Sequence, residues 1–548
     1  MILVALLAVV GSSSSFSADE GAAIAQARSL ADGEGWIVEH PVPEADPAGA
    51  NYPLEFSERG PRGFAPFGKH PLYALLLAGV DRIAGVAGMV LLSLAGTVAA
   101  AGLAAGIARR IDPALARPAV WTVGLASPLL FDGYLVIAHT LGAALAAAAM
   151  LATVVAIERR RAAVALSVLP LVAGAVLLRR EAILLALALG LVAAVLAVRR
   201  PGARRPAGVI ALGAPAVAAA AQVLEQMWTR HLLGGSLAWS GLGTSGTGSS
   251  GLIEGRLHAF FLTWLTPGYG ARSLAPLALL VMLGAVAVAA LALRRLPDPH
   301  AAVNRWAAVA AGAAVVAVLT GPTTVVPGFL VAFPLAAGGF LLIRRETLRT
   351  ATAQVGLGVF ALFALGVIGT QYTKGGAGEW GGRYFAIGIP FLAPVLLLAL
   401  HDAGSRLGRQ VRQRAVASLA VCSLVLATMG VAALRHNHSG TAELVGMFEK
   451  AGQAVGTEGG DRPVLVSTQG SAPRFAWPVS DRQRWLLSDP AGIPDLFGRL
   501  RVAGVTRIGF VTRDLSRDGP LLAPSATILS TDETASDRGW HVLVLQLP

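Results

Sequence analysis

Charge is scarce in this chain. Of 548 residues only 14% are Asp, Glu, Lys or Arg, whereas 55% are hydrophobic, and the mean hydropathy is +0.64. A soluble globular chain carries about 25% charged residues, so this deficit excludes an ordinary water-facing surface over most of the length. Cysteine is all but missing. Cys422 stands alone in an apolar run, which excludes an intrachain disulfide and a thiolate metal site and leaves packing as its role. Acidic residues are outnumbered by basic ones, 32 to 44, for a net charge of +12. That excess carries no nucleic-acid recognition motif, and it sits in short Arg clusters between hydrophobic runs, so nucleic acid is not an expected partner.

What is abundant is alanine, leucine, valine and glycine in long runs. GMVLLSLAGTVAAAGLAAGIA, residues 88–108, is long enough to cross about 30 Å of hydrocarbon, and such runs recur up to residue 434. Clusters at Arg109–Arg110, Arg159–Arg161, Arg199–Arg200, Arg294–Arg295 and Arg344–Arg345 each close a run, and Arg406, Arg409, Arg412 and Arg414 mark a further loop. Assigning them all to the cytoplasm alternates with the spans between them. The expectation is an all-α polytopic membrane domain over residues 1–435, with about 13 transmembrane helices, the N-terminus inside and the C-terminus outside. The opening MILVALLAVVGSSSSFSA resembles a secretory signal but lacks a basic start; it reads as a short first helix, with a cleaved signal as the alternative.

Four segments then face outward: a first loop at 13–70, a second at 222–272 with the Gly/Ser tract GLGTSGTGSSG, a third at 371–383, and the tail from 436. The Gly/Ser tract reads as flexible linker, and no charge of the second loop is assigned a role. In the tail, residues 462–468, 507–512 and 541–547 read as buried strands, and 493–504 as a helix ended by Gly504. Residues 436–548 are therefore expected to form a small extracytoplasmic α/β domain, although no residue in it argues for a site.

Asp19 and Glu20 are adjacent acids just after the first helix. They read either as acids favouring the positive end of the next helix or as catalytic carboxylates. At the end of the same loop, His70-Pro71-Leu72-Tyr73 opens an apolar helix. This pair of features resembles the GT-C membrane glycosyltransferases, in the branch of the protein O-mannosyltransferases and lipid A aminoarabinose transferases. The resemblance in pattern covers mainly residues 13–200. It implies a GT-C-like fold and transfer of a sugar, with inversion, from a polyprenyl-phosphate carrier to a protein, glycan or lipid acceptor on the outer face of the cytoplasmic membrane. It also implies that Asp19 is the catalytic acid of the first loop, with Glu20 beside it as a second acid or metal ligand. His70 and Tyr73, from the motif itself, are taken as substrate-binding. The second acid of that family is replaced here by His139, with Asp132 the nearest carboxylate. His139 reads as a metal ligand, a phosphate-polarising group or a hydrogen-bonding group of the bundle. The metal itself is undetermined, a divalent ion being the only cofactor considered.

Three further groups suit a phosphate. Arg179 and Arg180 occupy a turn expected to face outward, where Glu181 neutralises one and leaves the other for an anion, unless they only anchor to headgroups. Lys374, Glu379 and Arg383 lie among the glycines of the third loop, which reads either as a phosphate site or as an aromatic interfacial turn; EWGGRYF also looks like segments of bacterial membrane glycosyltransferases. Arg far exceeding Lys, with abundant Ala and Gly, matches high-GC bacteria. A transporter or lipid flippase, and a non-catalytic scaffold, are the competing functions. No internal repeat supports the transporter.

Overall fold

The computed structural model describes residues 1–12, 15–38, 40–52, 58–60, 63–67, 70–233, 252–268, 273–323, 326–370, 380–456, 462–523, 525–534 and 539–548. Lys374, Glu379 and the Gly/Ser tract lie outside them. Among the described residues, nine helices are long and apolar enough to cross a membrane: Pro71–Ile111, His139–Arg159, Ala182–Arg199, Pro201–Leu232, Ala275–Arg295, His300–Thr320, Ala351–Thr370, Arg383–Gly404 and Arg409–Val455. Four more apolar segments are short or broken. They are α1 (Ile2–Val10), Ala116–Leu125, the pair Ala162–Leu166 and Val168–Leu178, and the pair Phe329–Ala332 and Pro334–Leu342. The 13 expected spans thus correspond to nine full-length helices and these four lesser segments. Composition registers apolar runs; it does not register whether the backbone stays helical through them.

Alanine sets the packing. The helix α3 (Pro71–Ile111) presents Ala100, Ala101, Ala104 and Ala108, and His139–Arg159 presents Ala143, Ala146 and Ala149, all buried in one core. Small side chains let backbones approach closely, which favours association where no hydrophobic drive exists between helices. Within α3, Gly85 adopts φ +59 and breaks the helix between an initial segment that carries Asp81 and Arg82 and the span proper.

The arginine clusters gather at one end of the bundle. Arg110 pairs with Glu158 at 2.6 Å, Thr352 donates to Glu158 at 3.2 Å, and Arg200 donates to Gln354 at 3.2 Å. Arg294 donates to the carbonyl of Leu341 and Arg344 to that of Arg294, while Arg406 reaches Leu293 and Arg414 reaches Asn304. Helices that end here begin, at their other ends, with His70, His139, Glu181 and Arg383.

At that opposite end stands a mixed five-stranded sheet of β3 (Val464–Ser467), β4 (Arg484–Leu487), β5 (Arg507–Thr512), β6 (Thr527–Glu533) and β7 (His541–Gln546), in the order β4-β3-β5-β7-β6. β3 pairs in parallel with β4 and β5, and β7 runs antiparallel to β5 and β6. The expected strands and the helix Ile493–Val502 are present. Two strands were not expected: β4 is only four residues long, and β6 is exposed throughout, so neither carries a clear burial pattern. One sheet face packs under Ile493, Leu496 and Phe497 together with Val42 and Ala45 of the first loop. The other packs under Leu444, Phe448 and Ala451. These belong to the 47-residue helix Arg409–Val455, which runs without a break from the membrane bundle through residue 436 into the domain.

The first loop is also more than a loop. It holds α2 (Ala18–Ala31) and a two-stranded hairpin of β1 (Glu58–Gly60) and β2 (Gly63–Ala65). Its segment 46–51 joins the sheet domain: the backbone N–H of Leu487 donates to Asn51 at 3.1 Å, and Arg499 reaches Asn51 and Asp46.

Candidate active site

Ser17 starts α2 through a capping box. Its backbone N–H donates to Oε2 of Glu20 at 2.8 Å, and its hydroxyl accepts from the Glu20 backbone N–H at 3.5 Å. The second Glu20 oxygen, Oε1, accepts from the backbone N–H of Val136 at 2.9 Å, and the side chain is buried. Glu20 is therefore engaged by two backbone donors, tying α2 to the stretch before His139. The Ser-x-x-Glu pattern at 17–20 is the sequence signature of this capping box.

Asp19, one residue earlier, points elsewhere. Its side chain is 30% exposed; Oδ2 lies 3.4 Å from Nη1 of Arg383, and Oδ1 lies 3.0 Å from Nη1 of Arg474. Arg383 follows Gly381 and Gly382, both at positive φ, and its guanidinium also stacks over Tyr384. Arg474 comes from the sheet domain. By sequence no residue of this domain argues for a site; the contact joins positions 455 residues apart and has no local signature.

The remaining residues form adjoining pairs. Asp132 and His139 are buried 3.5 Å apart. Arg179 is buried and donates through Nε to Glu181 at 2.8 Å, with Nη2 bonded to the same oxygen. Arg180 is the more exposed arginine, at 35%, and lies 3.8 Å from Glu225. Glu225 in turn lies 3.9 Å from His70, which holds a left-handed backbone at φ 53 immediately before Pro71. Arg179, Arg383 and His70 all act electrostatically on His139, and Glu20 and Arg179 act on buried Tyr73. The site residues that are described thus converge on one end of the bundle. Glu225 falls in the second expected loop, no charge of which is assigned a role by sequence; it is buried, near the C-terminal end of Pro201–Leu232.

A small cavity is lined by Phe131, Tyr134, Trp380, Leu426 and Leu434 together with Ser127 and Ser423, with Phe131 and Trp380 stacked 5.4 Å apart. Among the described residues no group of three or more His, Cys, Asp or Glu is placed to hold a metal ion. The arrangement offers a partly exposed carboxylate and two partly exposed guanidiniums able to face a phosphate.

Fold and site together define a multi-pass membrane protein with an α/β domain and a charged cluster at the end of the bundle where that domain sits. No family profile matches the chain, and no curated protein matches its sequence. Two solved structures of ArnT from Cupriavidus metallidurans are similar to it, one bound to undecaprenyl phosphate and one in the apo state. Each is 16% identical and covers 99% of this chain and 97% of its own, with TM-scores of 0.46 and 0.48 respectively. At that distance the likeness assigns no function, which is argued below from the site's own residues.

Proposed function

We propose that this protein transfers a sugar from a polyprenyl-phosphate carrier to an acceptor at the outer face of a bacterial cytoplasmic membrane. The observation that carries the reading is Asp19, a partly exposed carboxylate held beside Arg383 at the bundle end opposite the arginine-rich one. With the arginine-rich ends in the cytoplasm, that site and the C-terminal domain face outward.

In the proposed reaction the acceptor hydroxyl oxygen attacks the anomeric carbon as the bond from that carbon to the phosphate oxygen breaks. The electron pair leaves with the polyprenyl phosphate, and the hydroxyl proton passes to Asp19. Attack opposite the leaving group inverts the anomeric centre. The negative charge that grows on the leaving phosphate is met by Arg383 and Arg180, donors already oriented by Asp19 and Glu225.

The test uses the full-length protein in lipid, supplied with a polyprenyl-phosphate sugar, and measures release of polyprenyl phosphate. Asp19→Asn is expected to lower turnover by about 100-fold or more. Undiminished turnover in that variant sinks the assignment of Asp19 as base. Carrier flux across vesicles without sugar transfer overturns the reading in favour of a transporter.

A further inference from the structure

We propose that Arg474 is a positioning residue for Asp19, so that the C-terminal domain completes the site in the membrane bundle. The inference rests on the reading of Asp19 as the base, and it adds a residue and a domain to that reading.

Two contacts fix Arg474 on α2, and a third braces it within its own turn. Its Nη1 meets Oδ1 of Asp19 at 3.0 Å while Nε donates to the carbonyl of Gly470 at 3.0 Å. Its own backbone presses on Gly21, where an added Cβ would overlap the Arg474 carbonyl oxygen. Three residues on, Trp477 receives the guanidinium of Arg28 at 4.7 Å from its ring centre. α2 is thus gripped along its length by the domain, and the absence of a side chain at Gly21 is what permits it.

The loop that delivers Arg474 is itself anchored. It leaves the C-terminal end of β3, between parallel neighbours β4 and β5, where chain order reverses; side chains at such a point converge naturally on a site beyond the strands. Ser467 donates to the carbonyl of Val511, and Thr468 donates to buried Asp518 at 2.8 Å. Thr512 donates to the same Asp518 oxygen at 2.6 Å.

The two arginines on Asp19 differ in freedom. Arg383 is 23% exposed and able to turn toward a phosphate, whereas Arg474 is 9% exposed and braced by the domain. When Arg383 engages substrate, Arg474 still holds the carboxylate in its orientation and in its charged form. Loss of Arg474 is therefore expected to lower kcat with KM little changed, and loss of Arg383 both to lower kcat and to raise KM for the carrier.

The decisive measurement needs no substrate. In full-length protein in lipid nanodiscs, a carbodiimide labels protonated carboxyls, and mass spectrometry follows labelling of Asp19 against pH. Charged and titratable groups on α2 and the elements packed around it are Glu20, Arg28 and Asp32 on α2, and Tyr73, Asp81 and Arg82 on α3. Arg383, Arg474, and His438 and Glu443 on Arg409–Val455 complete the set. All but Arg474 stay constant in the comparison. Removing a nearby positive charge favours the neutral carboxyl, so Arg474→Gln and Arg474→Met should raise the labelling midpoint by about one pH unit. Arg474→Lys should restore it. A midpoint that stays put in both neutral variants, or moves as far in Arg474→Lys, overturns the proposal. With polyprenyl-phosphate sugar, Arg474→Gln should also lose about tenfold in kcat with KM little changed. An inactive wild-type protein would instead defeat the proposed function and leave the labelling result to stand or fall separately.

Discussion

The carboxylate of Glu225 lies 3.8 Å from the guanidinium of Arg180, joining the C-terminal part of one long helix to the turn between two others. The same carboxylate is 3.9 Å from His70 at the head of α3. One buried acid therefore orients two groups from separate parts of the bundle. Glu225→Gln is expected to raise KM for the carrier and to lower kcat, together about tenfold in kcat/KM, because the charge that steers Arg180 is gone. Combining it with Arg180→Ala should add little to either single change, which a double-mutant cycle on kcat/KM checks.

Glu20 is expected to matter for stability. Its carboxylate accepts two backbone N–H groups in a buried setting, so Glu20→Ala strands both donors and removes the capping box. The cost should be about 1–3 kcal/mol, read as a lowered denaturation midpoint in detergent. A wild-type midpoint would mean that the capping box contributes nothing.

Two glycine substitutions should separate cleanly. Gly21→Ala introduces a Cβ against the Arg474 backbone and is expected to weaken docking of the C-terminal domain, exposing its junction to protease and reducing turnover. Gly79→Ala, within α3 where nothing lies near the new Cβ, should be neutral or stabilising by up to about 1 kcal/mol.

The sheet domain should show an acid limb traceable to Asp518. Burial raises its pKa, but hydrogen bonds from Arg517, Thr512 and Thr468 outweigh this and hold the carboxyl below the usual aspartate range. A folded pKa below the unfolded one gives stability that is complete above the unfolded value. That stability is lost as pH falls from there through the folded value. Asp518→Asn should therefore flatten the acid limb of domain unfolding, followed by tryptophan fluorescence of the full-length protein. An unchanged acid limb would remove Asp518 from the account.

Local chemistry wrote much of this protein into its sequence. Runs of Ala, Leu and Val mark the apolar segments, because each helix satisfies its own backbone and needs no partner to be recognised, but not which four are short or broken. Arginines at one set of helix ends mark one end of the bundle, and short continuous apolar runs forecast β3, β5 and β7. Asp19 stood out for the same reason, as a rare charge at the edge of an apolar segment. Tertiary structure decided what those charges face. Asp19 meets Arg474 across 455 positions, Glu225 joins His70 and Arg180, and Glu20 turns away into backbone contacts with Ser17 and Val136. Such pairings depend on which helix ends are packed side by side, and hydrophobic packing fixes that without leaving a mark on the charged residues themselves.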